Sequence, residues 1–440
     1  MARRHGGISM RTAKQDEFYR SKSFDRQVRR HLKAGVQRFA VVVPPAFAPL
    51  CRAELTDLGL APAAEANGII EFDGKWEDAY RANLWLRTAS RVLWRRPDFR
   101  SGAVEDLFEQ SAKQRWELWL DPRIPIRLAV HLAESRIGHE GQAAEALVAG
   151  ISKRMAQFRL PRPRDCSPPV AAAVAAVDPV AVGDAAAAAA ADYGADAGPE
   201  PNQLIIARIQ RNRCQLSIDT SGFHLHRRGY RLVHTGAPMR ETLAAAVLLK
   251  AGWNGSTPLV DAMSGSGTVA IEAARLARNI APGLDRRFLF ESWPCAFADT
   301  FRHVKTKAAE AALNRSPVPI VAVERDPGAI ATARENARKA RVDPDIRWHT
   351  GDFFDFTPVD RDLTPGLIVV DPPYGKRLAS EGKTFYQRLG VVLRERFRGW
   401  RAAVFTPERL WLSQLGCRPL RTWSVPHGGL AIEVALFRIG

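Results

Sequence analysis

The chain has 440 residues, with 64 Lys and Arg against 47 Asp and Glu and a formal net charge of +17. At 46% hydrophobic and 25% charged residues it reads as a globular protein of two or three domains, neither disordered nor fibrous. No apolar run approaches the roughly 18 residues of a membrane span. The N-terminal MARRHGGISM has no secretory h-region, and the five scattered cysteines show no C-x-x-C spacing. A cytoplasmic protein with no disulfide framework and no metal is expected.

Residues 1–38 read as a basic flexible arm. Up to residue 39 there are eleven Lys and Arg, including Arg29 and Arg30, against three acids. Such an arm suits a nucleic-acid partner, because each neutralised phosphate releases condensed counterions; a solvated tail that only aids solubility is the plainer alternative, and an anionic membrane surface a weaker third. Over 39–160, strand-like FAVVVP, GIIEF, RVLWRR and IRLAVHLA alternate with segments of helical spacing such as FAPLCRAELTDLG and WEDAYRANLWLRTAS. The pattern predicts small α+β sandwiches. Trp76, Trp85, Trp94, Trp116 and Trp119 sit at core spacing and are expected inside rather than as base-stacking platforms. Residues 161–202, rich in Ala and Pro, read as a linker or insertion.

Residues 203–440 are expected to form one domain. QLIIARI and CQLSID are two strands, followed by the basic run HLHRRGYRL and a helix over 240–250. Then PLVDAM, PIVAVER, DIRWHTGD, GLIVVDPP and RAAVFTP alternate with helices, the rhythm of a mostly parallel, doubly wound α/β sheet. LRTWSVPHGGLAIEVALFRI adds an antiparallel end hairpin around a Gly-Gly turn.

Asp261-Ala-Met-Ser264-Gly265-Ser-Gly267-Thr268 follows the first strand of that sheet and opens a helix. Its glycines let the backbone turn tightly and approach a ligand. A P-loop is excluded because no Lys follows the glycines, and a dinucleotide site wants an acid about 20 residues on. Here the acid closing the next strand, Glu324, lies 57 residues past Gly267. A nucleoside without a pyrophosphate fits better. Glu324 is placed to accept the ribose hydroxyls, with Asp326 an alternative. Asp352 is placed to accept an adenine amine, with Phe353 packing on the ring. For each, a strand-end acid or a core Phe is the bland alternative.

Asp371-Pro372-Pro373-Tyr374 follows the apolar strand GLIVV. The prolines fix an extended turn, so the Asp371 carboxylate and the Pro372 carbonyl supply two acceptors for one exocyclic amine. Tyr374 offers a face for a flat base.

In this order DAMSGSGT, VERD, GDFF and DPPYGKR resemble the class I S-adenosylmethionine-dependent methyltransferases of nucleobase amines. LHRRGYR, APMRETLAAAVLLKAGW and SRIGHEGQAAEALVAGISKRM narrow the resemblance to the THUMP-containing RNA guanine-N2 methyltransferases of the RlmL type, which act on 23S ribosomal RNA. It covers about 39–159 and 203–440. Family members often carry Pro and Cys where Ala262 and Ser264 stand, and some carry Asn in place of Asp371. The resemblance implies a Rossmann-like methyltransferase domain behind a ferredoxin-like plus THUMP region, and S-adenosyl-L-methionine as methyl donor. It implies Glu241 and Thr242 at the cofactor's amino-acid end, and Arg227, Arg228 and Arg231 steering RNA phosphates, with a plain surface role the equal alternative for these arginines. The rivals are a transfer-RNA guanine-N2 enzyme, a DNA adenine-N6 enzyme and a non-catalytic ribosome-assembly factor.

Overall fold

A computed structural model describes residues 13–33, 35–165, 202–231, 239–358, 364–373, 376–427 and 430–440. Most of the Ala/Pro-rich segment (166–201) and Tyr374 lie outside the described residues.

The first sheet contains β1 (Gln37–Val42), β2 (Pro62–Ala66), β3 (Ile69–Gly74), β4 (Arg91–Arg95), β5 (Phe99–Arg100), β6 (Ile126–Ala133), β7 (Gln203–Gln210) and β8 (Arg213–Asp219). Its order is β2-β3-β1-β4-β8-β7-β6, with β5 on β8. The β2–β3 hairpin turns at Asn67-Gly68, both at positive φ as a two-residue hairpin turn requires. Helices Ala48–Asp57 and Trp76–Trp85 connect β1 to β2 and β3 to β4, and β1 runs antiparallel to both β3 and β4. This is the expected ferredoxin-like arrangement. Trp76, Trp94, Trp116 and Trp119 are buried in the core, as their spacing predicts.

Two expectations are corrected here. Strands β7 and β8, read as the start of the catalytic domain, pair with β6 and β4 in the first sheet, so the break expected at 203 is not where the sheets part. The arm expected over 1–38 is folded from Ala13 onward. Helices Ala13–Tyr19 and Lys22–Val28 lead into a π-turn, Arg29–Lys33. Phe24, Val28 and Leu32 are buried at i, i+4 spacing, Phe18 packs on Phe158 at 5.2 Å, and Gln27 accepts from Arg115 at 2.9 Å. The density of charge masks a short apolar stripe.

The second sheet contains β9 (Leu259–Asp261), β10 (Ile320–Glu324), β11 (Ile346–Thr350), β12 (Leu367–Val370), β13 (Arg401–Thr406), β14 (Pro419–His427) and β15 (Leu430–Arg438), in the order β11-β10-β9-β12-β13-β15-β14. The first five are parallel, and β15 joins β13 antiparallel, as the end hairpin predicts. The chain winds one way from β9 through β10 to β11 and the other way through β12 to β13. That makes the C-terminal end of β9 the switch point where such sheets bind ligands.

The two sheets meet across a packed seam. Tyr80 lies 4.5 Å from Phe290 and 5.4 Å from Phe301, ring to ring. Arg87 donates to the Ile280 carbonyl at 2.9 Å, and the Gly283 N–H donates to the Leu84 carbonyl at 2.9 Å.

Candidate active site

Register brings three acids to one edge. Asp261 pairs with Ala322 on one side and Val369 on the other, so Glu324 and Asp371 each stand two residues beyond it on flanking strands. Asp261 is fully buried, and its Oδ2 accepts from the Ala270 N–H at 3.1 Å. Burial, then the charges of Asp371 and Glu324, push its carboxyl up to about 8.

The glycine loop lies against these acids. Gly265 (φ +51°) donates its N–H to Glu324 Oε2 at 2.9 Å, and the Asp326 N–H meets Oε1 at 3.0 Å. A Cβ on Gly265 would meet nothing within 4 Å, so this side of the loop is open. Gly267 (φ +80°) faces the protein, where a Cβ would stand 2.9 Å from the Ala333 Cβ and 3.1 Å from Trp348. The Ser264 Oγ is buried with no hydrogen-bond partner among the described residues. An open backbone cradle, an unpartnered buried hydroxyl and three clustered carboxylates suit a cationic, hydroxyl-bearing nucleoside. The residues present therefore fit S-adenosyl-L-methionine, which Glu324, Ser264, the loop backbone and Asp261 would hold.

The other expected residues divide. Asp371 and the buried Pro372 lie at the end of β12, beside the loop, with Pro373 exposed. Asp352 is half-buried, and its Oδ1 accepts from the Phe354 N–H at 2.9 Å. Phe353 is not a ring platform: it is 2% exposed and stacked on Phe397 at 5.7 Å. Asp326 caps helix Pro327–Lys339, accepting from the Gly328 N–H at 2.9 Å. Glu241 and Thr242 are buried at the start of helix Glu241–Lys250.

The basic run is also corrected. Arg231 is not a phosphate ligand: it donates to Glu241 Oε1 (3.1 Å), the Met239 carbonyl (2.8 Å) and Thr268 Oγ1 (3.1 Å), tying one helix start to the other. Arg228 is 1% exposed and donates to the carbonyls of Leu225 (2.8 Å) and Arg87 (2.6 Å). Arg227 is half-exposed over the Phe223 ring at 4.9 Å. Arg29 and Arg30 are exposed on the first domain. Next to them the His31 imidazole is held below its ordinary value by burial, then by Arg115, Arg30 and Arg96.

Sequence reading missed His427, whose Nε2 lies 3.6 Å from Asp371 Oδ2. It also missed Asn336, whose Nδ2 donates to the Ser266 carbonyl at 3.3 Å and props the glycine loop. Neither carries a local signal, because sheet order brings His427 to the site and a neighbouring helix brings Asn336. Among the described residues no three His, Cys, Asp or Glu side chains gather as metal ligands, and no helix is long and apolar enough to cross a membrane.

A doubly wound sheet of this order, with a glycine loop and acidic strand ends at its switch point, defines a class I methyltransferase fold. Residues 228–435 match the family described as RMKL-like, methyltransferase domain, and residues 38–93 match the RlmL ferredoxin-like domain. A Synechocystis protein provisionally named an RNA methyltransferase is 30% identical, over 91% of this chain and 98% of its own. The ribosomal RNA large subunit methyltransferase K/L of Syntrophotalea carbinolica is 33% identical over 91% of this chain; the chain spans 53% of that relative's length. Among solved structures, a Listeria monocytogenes protein described as a predicted N6-adenine-specific DNA methylase superposes with a TM-score of 0.75. It is 25% identical, covering 96% of this chain and all of that one. SMU.472, provisionally described as a methyltransferase and solved with SAH, gives 0.72 at 25% identity, covering 92% and 98% of the two chains. The chain belongs to the RMKL-like methyltransferase family.

Proposed function

We propose that this chain transfers a methyl group from S-adenosyl-L-methionine to the exocyclic N2 of a guanine in 23S ribosomal RNA, in the cytoplasm. The observation that carries the reading is the position of Asp371-Pro372, on the strand next to the glycine loop and two residues past the register of Asp261. When bound, S-adenosyl-L-methionine supplies an electrophilic methyl group on a sulfonium. The guanine amine is a weak nucleophile because its lone pair is delocalised into the ring. The Asp371 carboxylate and the Pro372 carbonyl accept its two hydrogens, turn the lone pair out of the ring plane and offset the positive charge that develops on nitrogen. Tyr374 is proposed to stack on a base swung out of its helix. The first domain, through Arg29, Arg30 and their neighbours, together with Arg227, is proposed to hold the RNA backbone.

The test is transfer of labelled methyl groups to separated ribosomal RNA, transfer RNA and DNA, with nucleoside analysis. N2-methylguanosine in the large ribosomal RNA is the expected product. Asp371→Ala is expected to lower transfer by about 10²–10³-fold while calorimetric binding of the methyl donor is retained; an active variant would remove Asp371 from the chemistry. A second reading, adenine-N6 methylation of DNA, has the description of the Listeria structure in its favour. Methyladenine in the DNA pool would establish it instead.

A further inference from the structure

The end hairpin brings a histidine to the reacting edge. His427 closes β14, and its Nε2 lies 3.6 Å from Asp371 Oδ2, with side chains only 8% and 18% exposed. The imidazole rests edge-on against Phe405 of β13, ring centres 6.4 Å apart. Phe405 is itself anchored, since its carbonyl accepts the Tyr386 hydroxyl at 2.7 Å. The strand bearing His427 is fixed by its ladder to β15, and β15 by its ladder to β13. On its other side Asp371 faces acids, close enough that its charge and that of Glu324 raise Asp261.

We propose that His427 is a positioning residue for methyl transfer, holding one oxygen of the Asp371 carboxylate toward the hairpin so that the other meets the amine N–H. The inference rests on the proposed function. At 3.6 Å the Nε2–Oδ2 separation is longer than a hydrogen bond, a polar contact in a largely water-excluded corner where such contacts are stronger. In the reaction the amine lone pair forms the N–C bond, the C–S bond breaks with its pair left on sulfur, and the nitrogen gives one proton to Asp371. A carboxylate free to rotate about its Cβ–Cγ bond would lose the alignment this step needs. The hairpin thus sets the geometry of the Asp-Pro-Pro turn.

The test uses the full chain with large-subunit RNA and compares His427→Leu, His427→Gln and the combination of His427→Leu with Asp371→Asn. His427→Leu is expected to lower kcat by about 100-fold with the KM for RNA and the Kd for S-adenosyl-L-methionine unchanged. His427→Gln, whose amide N–H reaches a similar place, is expected to recover most of that loss. On the Asp371→Asn background His427→Leu should cost nothing more, because the partner is already altered. In the ligand-free protein the ring nitrogen resonances of His427 should move on Asp371→Asn, a readout that needs no turnover and survives if the Leu variant misfolds. Wild-type kcat in His427→Leu, a fully additive loss in the double variant, or an unmoved resonance would each overturn the inference. A wild-type protein inactive on every nucleic acid would instead break the methyl-transfer reading, leaving the resonance test standing.

Discussion

At the seam between the sheets, Arg87, Arg228, Arg275 and Arg286 are buried, and their partners are mostly backbone carbonyls. Arg286 donates to those of His224, Phe223 and Ser221 at 2.6–3.1 Å, and Arg275 to that of Ala281 at 3.1 Å. Burial pulls Arg87 down to about 10 and Arg286 to about 9, so both remain cationic at neutral pH. At the edge of the catalytic sheet the clustered ionisable groups are instead acids. Asp261 accepts one backbone N–H, and its carboxyl is pushed up to about 8. The contrast separates two uses of buried charge. Backbone carbonyls across the seam hold Arg87, Arg228 and Arg286, so those side chains brace one domain against the other. Among the described residues no cation pairs with Asp261, so the acid edge is set for one that arrives with a ligand.

The largest expected effect comes from breaking the seam. Arg228 Nη2 stands 3.6 Å from Glu272 Oε2, and both side chains are within 1% of full burial. Arg228→Ala takes a cation from that buried carboxylate, whose remaining hydrogen bond comes from the Tyr230 hydroxyl at 3.1 Å; breaking such a pair costs about 3–5 kcal/mol and should appear as a lower denaturant midpoint. RNA affinity per folded molecule should not change. Unchanged stability with lost RNA affinity would make Arg228 a phosphate ligand and undo the contrast.

Next in size is a change to the loop that receives the ligand. Gly267→Ala forces a Cβ against Ala333 at a positive φ, a strain of about 1–3 kcal/mol. Gly265→Ala points its Cβ into the open cradle, so it should weaken binding of the methyl donor more than it alters stability. Calorimetry and thermal melts on both variants separate the two glycines.

The acid edge makes a pH prediction with a definite sign. Asp261 binds its proton more tightly folded than unfolded, so its contribution to stability is fully present below 3.8 and is lost as pH rises toward about 8. A cationic methyl donor held at this edge is predicted to expel that proton. Affinity should therefore rise with pH by up to about tenfold per unit, or about 1.4 kcal/mol, and level off above about 8. Proton release appears as a buffer-dependent binding enthalpy, which Asp261→Asn should abolish. An enthalpy independent of buffer in the native protein would mean Asp261 is ionised before the ligand arrives.

The catalytic sheet was legible because its acids and glycines sit at strand ends, where sequence spacing alone puts them on one edge. DAMSGSGT and DPPY announce their geometry through Gly and Pro, whose backbone limits hold in any fold. The basic run was misread for the opposite reason. Arg227, Arg228 and Arg231 look alike in sequence, and burial between two domains, which no local pattern encodes, gives them different partners. The strands of 203–219 are expected in the catalytic domain and lie in the first sheet on the same ground, since strand character does not name its neighbour. His427 needed the order β13-β15-β14 before it could be placed at all.

The exposed cations of the first domain offer the smallest effect and the sharpest control. Arg29 and Arg30 lie on a turn whose underside, Val28 and Leu32, is buried, so their heads can change without disturbing the core. Arg29→Gln combined with Arg30→Gln should leave the melting midpoint where it is, because neither side chain is buried and surface charge contributes little to stability. It should weaken RNA binding only a few-fold and reduce the salt slope by about 1.4–1.8, the amount expected for two phosphate contacts. The same variant should leave methyl-donor binding intact, since no residue of the glycine loop or acid edge is touched. A slope that does not move would mean this face is merely solvated, and the RNA contact would then have to be sought around Arg227, the half-exposed arginine of the basic run.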